Sequence, residues 1–169
     1  TCACATRVIP EGKGVKRDLE QHHITSKPLS IIGNGNINGI DLEYFARTPE
    51  VEEKAQAYRK KKTTTFCFVG RMVRDKGINE LVAAFRELYA IDSSIRLLLV
   101  GPFEEQLDPV LPETKEAILN HPAIEWMGWQ EDIRPFLAAS DVFVFPSYRE
   151  GFPNVVIQAG AMELPCLVT

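Results

Sequence analysis

Three cations, Arg71, Arg74 and Lys76, stand in the stretch GRMVRDKG that runs from Gly70 to Gly77. An apolar run, FCFVG, precedes it, and a segment with helical spacing follows it. A helix amino terminus already carries partial positive charge, so a cation there is disfavoured by roughly 0.3–1 kcal/mol. A bound anion reverses that sign. Gly70, Arg71, Lys76 and the free N–H groups of a helix start together make a diphosphate cradle. The competing reading sends Arg71 and Lys76 into solvent, paired with Asp75 or Glu80. The charge pattern alone leaves both open.

The second stretch with chemical content is PSYREGFPNVVIQAGAMELPCLVT, residues 146–169. Glu150 and Gln158 are eight positions apart, about two helical turns, a spacing that brings side chains to one face. Glu150 can accept hydrogen bonds from ligand hydroxyls, or it can cap the helix that follows. Gly151 allows a close approach of backbone to ligand. Gln158 lies in an otherwise apolar helix. A buried amide needs partners, and either a ligand or a backbone carbonyl would serve. Trp126 and Trp129 read as core packing, with a nucleobase platform as the alternative.

Other candidates fall away. GNGNIN at 33–38 lacks the third glycine and the following helix of a dinucleotide fingerprint, and GKG at 12–14 has no Walker spacing. Cys2 and Cys4 have no second ligand pair, and the three histidines form no constellation, so no metal site is expected. Cys67 and Cys166 lie in apolar strand-like runs and read as buried thiols.

The elements that must position these residues form a regular series. Short strands are predicted at 6–10 and 29–33, with a helix at 12–21 between them. An Asn/Gly-rich loop covers 34–41, and residues 51–62 read as a solvated helix or linker. From there strands are predicted at 66–70, 95–101, 124–128, 141–145 and 166–169. Helices are predicted from Ile78 to Tyr89, at 113–119 and 133–139, and after Pro153. Apolar strands alternating with helices define an α/β fold, a Rossmann-like parallel sheet with helices on both faces. Ligands of such sheets bind beyond the carboxyl ends of the strands. That places the loops at 70–77, 101–104 and 146–153 at the site.

Composition narrows the class. The 169 residues are 45% hydrophobic and 25% charged, as in a globular domain. A net charge of −4 argues against a general nucleic-acid partner. No apolar run reaches the roughly 20 residues of a membrane span, and a reduced, cytoplasmic setting is expected.

Several ordered pieces carry a family resemblance: NGID at 38–41 with Phe45, FVGRMVRDKG at 68–77, LLLVG at 97–101, IEWMGWQEDI at 124–133, and the stretch from Ala139 to the end. The chain resembles the carboxyl-terminal, donor-binding half of retaining glycosyltransferases of family 4. These have the GT-B architecture of two Rossmann-like domains, and the likeness is to the bacterial surface-polysaccharide type. The resemblance implies that residues 1–23 are the tail of an acceptor-binding first domain or the linker, and that 24–169 are the donor domain, cut short at its carboxyl end. It also implies a nucleotide diphosphate sugar as donor, of UDP or GDP type, with no cofactor. The acceptor would be a glycan or a lipid-linked sugar, reached by peripheral attachment at the inner membrane face.

By the same resemblance Arg71 and Lys76 contact the donor diphosphate, and Glu150 approaches the transferred sugar. Backbone around Gly151, Phe152 and Asn154 lines the sugar and phosphate site. Gln158 stands where relatives carry the acid that binds the ribose. Gln keeps one acceptor and loses the charge. Glu163 stands where relatives have Gly, which predicts strain if its φ is positive. Alone, the chain is expected to bind donor weakly and not to turn over. The alternatives are a non-catalytic nucleotide-sugar binding module and an epimerase on the same fold.

Overall fold

The strands pair in the order β3-β2-β1-β4-β5, all parallel. They are β1 (Thr64–Val69), β2 (Ile95–Val100), β3 (Ile124–Trp126), β4 (Val142–Phe145) and β5 (Cys166–Val168). The computed structural model describes residues 2–35 and 39–169. Residues 36–38, part of the Asn/Gly-rich loop and the start of the NGID match, lie outside it. The chain divides into two compact units, Thr1–Ile40 with Glu150–Asn154, and Asp41–Arg149 with Val155–Thr169.

The larger unit holds the sheet. All six residues of β2 are buried, as expected of a central strand covered on both faces. Phe68, Leu97, Leu98, Leu99 and Phe143 are fully shielded from water. Each such side chain contributes roughly 1.5–3 kcal/mol. The sheet is flanked by α2 (Pro49–Ala55), α3 (Ile78–Ile91), α4 (Pro112–Asn120), α5 (Arg134–Ala138) and the part of α6 (Asn154–Ala161) that lies in this unit. Helix α3 buries Ile78, Val82 and Phe85, the i, i+4, i+7 stripe that its sequence shows. Leu88, on the same predicted face, remains 42% exposed.

Of the solvated helix or linker expected at 51–62, the first part is helical, as α2, but not wholly solvated. Thr48 accepts a hydrogen bond from the Val51 amide and Pro49 occupies the first turn, so the helix starts there. It then buries Val51 and Ala55. Just beyond it, Tyr58 packs on Phe136 with ring centroids 4.5 Å apart. Arg96 is buried in the sheet, and its guanidinium donates to the Tyr58 carbonyl (2.6 Å) and the Thr65 hydroxyl (3.1 Å).

Two further expectations change. Cys67 is buried, and burial pushes its thiol up to about 12, but Cys166 is exposed on an edge strand exposed throughout. Trp126 and Trp129 are 39% and 69% exposed rather than core residues. Trp126 instead donates its indole N–H to the Gly101 carbonyl at 2.8 Å.

In the smaller unit, α1 (Lys13–Gln21) forms as predicted. The strands expected at 6–10 and 29–33 reduce to isolated bridges, the first between Val8 and Leu29. Short polar-flanked runs without a third partner do not extend a ladder. The Lys27 ammonium ties this segment together by donating to the carbonyls of Cys2, Ala3 and Ala5.

Candidate functional site

Strand order reverses between β1 and β4, the sheet's switch point, where ligands of such sheets bind beyond the carboxyl ends of the strands. The loop after β1 is held rigidly. Met72 and Val73 are buried, which turns Arg71 and Arg74 outward on either side of them. The Met72 amide donates to the Pro102 carbonyl at 2.8 Å, tying this loop to the one after β2. Asp108 accepts from the Arg74 guanidinium (3.1 Å) and from the Asp75 amide (2.7 Å). A short 3-10 turn, Arg74–Lys76, then leads through Gly77 into α3, whose amino end has no side-chain cap. No side chain therefore competes for its first N–H groups.

The start of the loop after β4 is laced onto this turn. The Pro146 carbonyl lies against Gly77. The Asp75 carbonyl accepts from the Tyr148 amide (2.9 Å) and the Ser147 hydroxyl (3.3 Å), and the Asp75 carboxylate pairs with Arg149 at 2.6 Å. Lys76 extends over the ring of Phe145, 5.5 Å from its centroid, a cation–π contact that directs the ammonium along the carboxyl end of β4.

Arg71 forms an ion pair with Glu104, on the loop after β2. Neither partner foreseen for it takes that role. Asp75 is held by Arg149, and Glu80 accepts a hydrogen bond from Tyr148, which raises that hydroxyl above the ordinary tyrosine value. More than half of the Arg71 side chain is exposed, so a pair of this kind is worth at most about 1 kcal/mol. A competing anion could displace Glu104 at little expense. Glu104 and Arg149 were missed from the sequence because each lies in a different loop from the cation motif.

Gly70, Arg71 and Lys76 all lie in the sheet-bearing unit, with Arg71 turned toward the loop after β2 and Lys76 toward β4. Gln158, on α6 in the same unit, is half-buried, and its amide makes no hydrogen bond among the described residues. No backbone carbonyl satisfies it. Glu150, Gly151, Phe152 and Asn154 belong to the smaller unit. There the Asn154 amide donates to the Phe152 carbonyl at 2.9 Å, and Asn154 Oδ1 is buried without a hydrogen-bond partner. Gly151 lies directly against Glu11, such that a Cβ added at 151 would collide with the Glu11 carboxylate. Glu11 carries no motif signal, and only the three-dimensional contact reveals it.

A cleft of about 850 Å³ lies at the other edge of the sheet, among Arg47, Arg59, Thr65 and Ser140. Its arginines are already engaged. Arg47 and Arg59 share the Glu52 carboxylate and donate to the Ala138 carbonyl at 3.0 and 2.9 Å. The amino ends of parallel strands are also the wrong edge for a ligand site. Among the described residues no group of three acidic, His or Cys side chains is placed to hold a metal, and no helix is long and apolar enough to cross a membrane.

A parallel sheet with this strand order defines a Rossmann-like domain, and cationic side chains stand on the loop after β1 at its switch point. The chain belongs to the glycosyl transferases group 1 family, whose model matches residues 63–169. It is 32% identical over 171 residues to the capsular polysaccharide biosynthesis glycosyltransferase CapM of Staphylococcus aureus, covering 98% of this chain and 44% of that protein. It is 31% identical over 177 residues to the UDP-Gal:alpha-D-GlcNAc-diphosphoundecaprenol alpha-1,3-galactosyltransferase of Escherichia coli, covering 98% of this chain and 43% of that one. Among solved structures, Anabaena HepE in complex with UDP and glucose superposes with a TM-score of 0.78 at 20% identity, over 98% of this chain and 44% of HepE. That likeness establishes the shared GT-B-type fold. The chain spans less than half the length of these proteins.

Proposed function

We propose that this chain is the donor-binding half of a retaining glycosyltransferase of family 4. It moves a hexose-type sugar from a nucleotide diphosphate donor to a glycan or lipid-linked acceptor. The observation that carries this reading is the pair Arg71 and Lys76 at the β1/β4 switch point, beside the uncapped amino end of α3. The UDP-galactose transferase among its relatives and the UDP and glucose bound in HepE support a donor of UDP type.

Negative charge grows on the departing diphosphate as the sugar bond breaks. Arg71, Lys76 and the first N–H groups of α3 stabilise that charge without having to reorganise. The acidic and backbone groups of Glu150–Asn154 hold the sugar. Trp129, exposed beyond β3, offers a face on which the base stacks. The acceptor side of the active site belongs to a partner domain that closes over the donor and excludes water. Peripheral association with the cytoplasmic membrane face fits a lipid-linked acceptor.

Gln158 favours a second reading, a nucleotide-sugar binding module of reduced affinity, because an amide gives the ribose one acceptor and no charge.

Titration calorimetry with UDP, GDP and their sugars tests both readings. One nucleotide is expected to bind, and Arg71→Ala is expected to weaken it by ~1.5–3 kcal/mol, the range for a hydrogen bond to a charged group. In the same assay Gln158→Glu should tighten it. An Arg71→Ala affinity equal to wild type would remove Arg71 from the phosphate site.

A further inference from the structure

Two carboxylates of the loop after β2 reach the cations of the loop after β1, and they do so in different ways. Asp108 is fastened on three counts. Its carboxylate accepts from the Arg74 guanidinium at 3.1 Å and from the Asp75 amide at 2.7 Å, and its carbonyl accepts from the Arg74 amide at 3.2 Å. These contacts belong to the backbone join between the loops, beside the bridge from Val73 to Pro109. Glu104 has one contact, its ion pair with Arg71, and the Arg71 side chain remains 56% exposed. Among the described residues neither side chain has another hydrogen-bond partner.

The backbone nonetheless keeps the two within reach. The Met72 amide donates to the Pro102 carbonyl, and Met72 bridges Phe103, whose ring packs on Trp126 at 4.8 Å. Arg71 and Glu104 therefore stand side by side whether or not their side chains are paired.

The pair turns Arg71 toward the loop after β2, while Lys76 lies over Phe145 of β4. Strands β2 and β4 flank β1 on opposite sides, so the two cations point apart. A guanidinium with a carboxylate on it is close to neutral as a unit and offers an anion little attraction. An exposed pair of this kind is weak, and so it is exchangeable. The Asp108 contacts are not, since losing them leaves a backbone amide without its acceptor.

We propose that Glu104 is a positioning residue that holds Arg71 off the donor diphosphate, so that nucleotide binding exchanges one ion pair for another. The proposal rests on the donor-binding reading above and adds to it a residue that lowers affinity. Glu104 weakens the hold on the nucleotide and pairs with Arg71 again as the nucleoside diphosphate product leaves.

The test is calorimetry with UDP and GDP on the wild-type chain and its Glu104→Gln, Glu104→Ala and Glu105→Gln variants. Glu105 is the control, because it is the next residue, carries the same charge and pairs with Lys115 instead. For the nucleotide that binds, both Glu104 variants should bind more tightly, by up to about fivefold, the ceiling set by an exposed pair. Glu105→Gln should bind as the wild type does. A merely structural Glu104 would give a loss and not a gain. Equal gains in the Glu104 and Glu105 variants would reduce the effect to general charge and overturn the proposal. Unchanged or weaker binding in the Glu104 variants would overturn it too. If the wild-type chain bound neither nucleotide, the donor reading itself would fall, and this role with it.

Discussion

The Pro146 carbonyl oxygen sits against Gly77 so closely that no side chain fits at position 77, whose φ is +70°. This contact joins the loop after β1 to the loop after β4, across the point where the sheet's strand order reverses. Two requirements therefore meet at one residue, a left-handed backbone and a close approach. Gly77→Ala is expected to lose at least ~2 kcal/mol of stability, since left-handed strain alone costs an L-residue roughly 1–2 kcal/mol and the collision adds to it. Urea denaturation measures this. A loss within ~0.5 kcal/mol, the range of an ordinary surface substitution, would show that the two loops are not locked together there.

The end of α6 holds the opposite case, a non-glycine residue where glycine belongs. Glu163 has φ +63°. Its amide donates to the Gly160 carbonyl and the Leu164 amide donates to the Ala159 carbonyl, both at 3.0 Å. That is the Schellman pattern, with Glu163 at the left-handed position and Leu164 buried with Ala159 as the accompanying apolar contact. The Glu163 side chain is exposed, so replacing it removes no packing. Glu163→Gly should stabilise the protein by ~1 kcal/mol, the left-handed strain less the added freedom of the unfolded chain. Thermal or denaturant unfolding reads the effect, and a destabilised variant would show that the side chain contributes more than its backbone angle costs.

The strain at Glu163 was expected from the resemblance, which puts glycine at this position in relatives, and its φ of +63° bears that out. The sheet was legible in the sequence itself. Strands such as IRLLLV and the stripe Ile78–Val82–Phe85 repeat their pattern within a few residues. The strands expected at 6–10 and 29–33 failed because an apolar run predicts burial and says nothing of a pairing partner. Burial of Trp126 and Trp129 failed likewise, since an aromatic at a strand end is as well served by one hydrogen bond to a carbonyl. Within the candidate site, the cations of one loop were readable from their spacing. The pairing of Arg71 with Glu104 and of Asp75 with Arg149, and the contact of Glu11 with Gly151, were not. Those pairs are far apart in sequence, and only the fold brings them together.

His121 links the fold to pH. Its ring packs edge-on against Tyr89 at 4.8 Å and Phe85 at 5.8 Å. Its Nδ1 accepts a hydrogen bond from the Ala123 amide at 3.2 Å. Burial, and to a lesser extent the nearby Arg86 charge, hold its pKa below the ordinary histidine value of 6.5. Protonation at Nδ1 would also abolish the acceptor. A base whose folded pKa is depressed favours its neutral form in the native state, so the unfolded chain takes up the proton first. The stabilisation is fully present above the unfolded value of about 6.5, and it is lost as pH falls from there through the lower folded pKa. Wild-type protein should therefore lose stability between roughly pH 7 and pH 5, a window above most carboxylate titrations. His121→Gln is expected to be less stable at pH 7, through lost ring packing, but to show a flatter slope across that window. Denaturation midpoints of the two proteins, taken at half-unit pH intervals, make the comparison. Parallel slopes would mean that His121 titrates alike in the folded and unfolded chain, and the aromatic cluster would then have no part in the pH response.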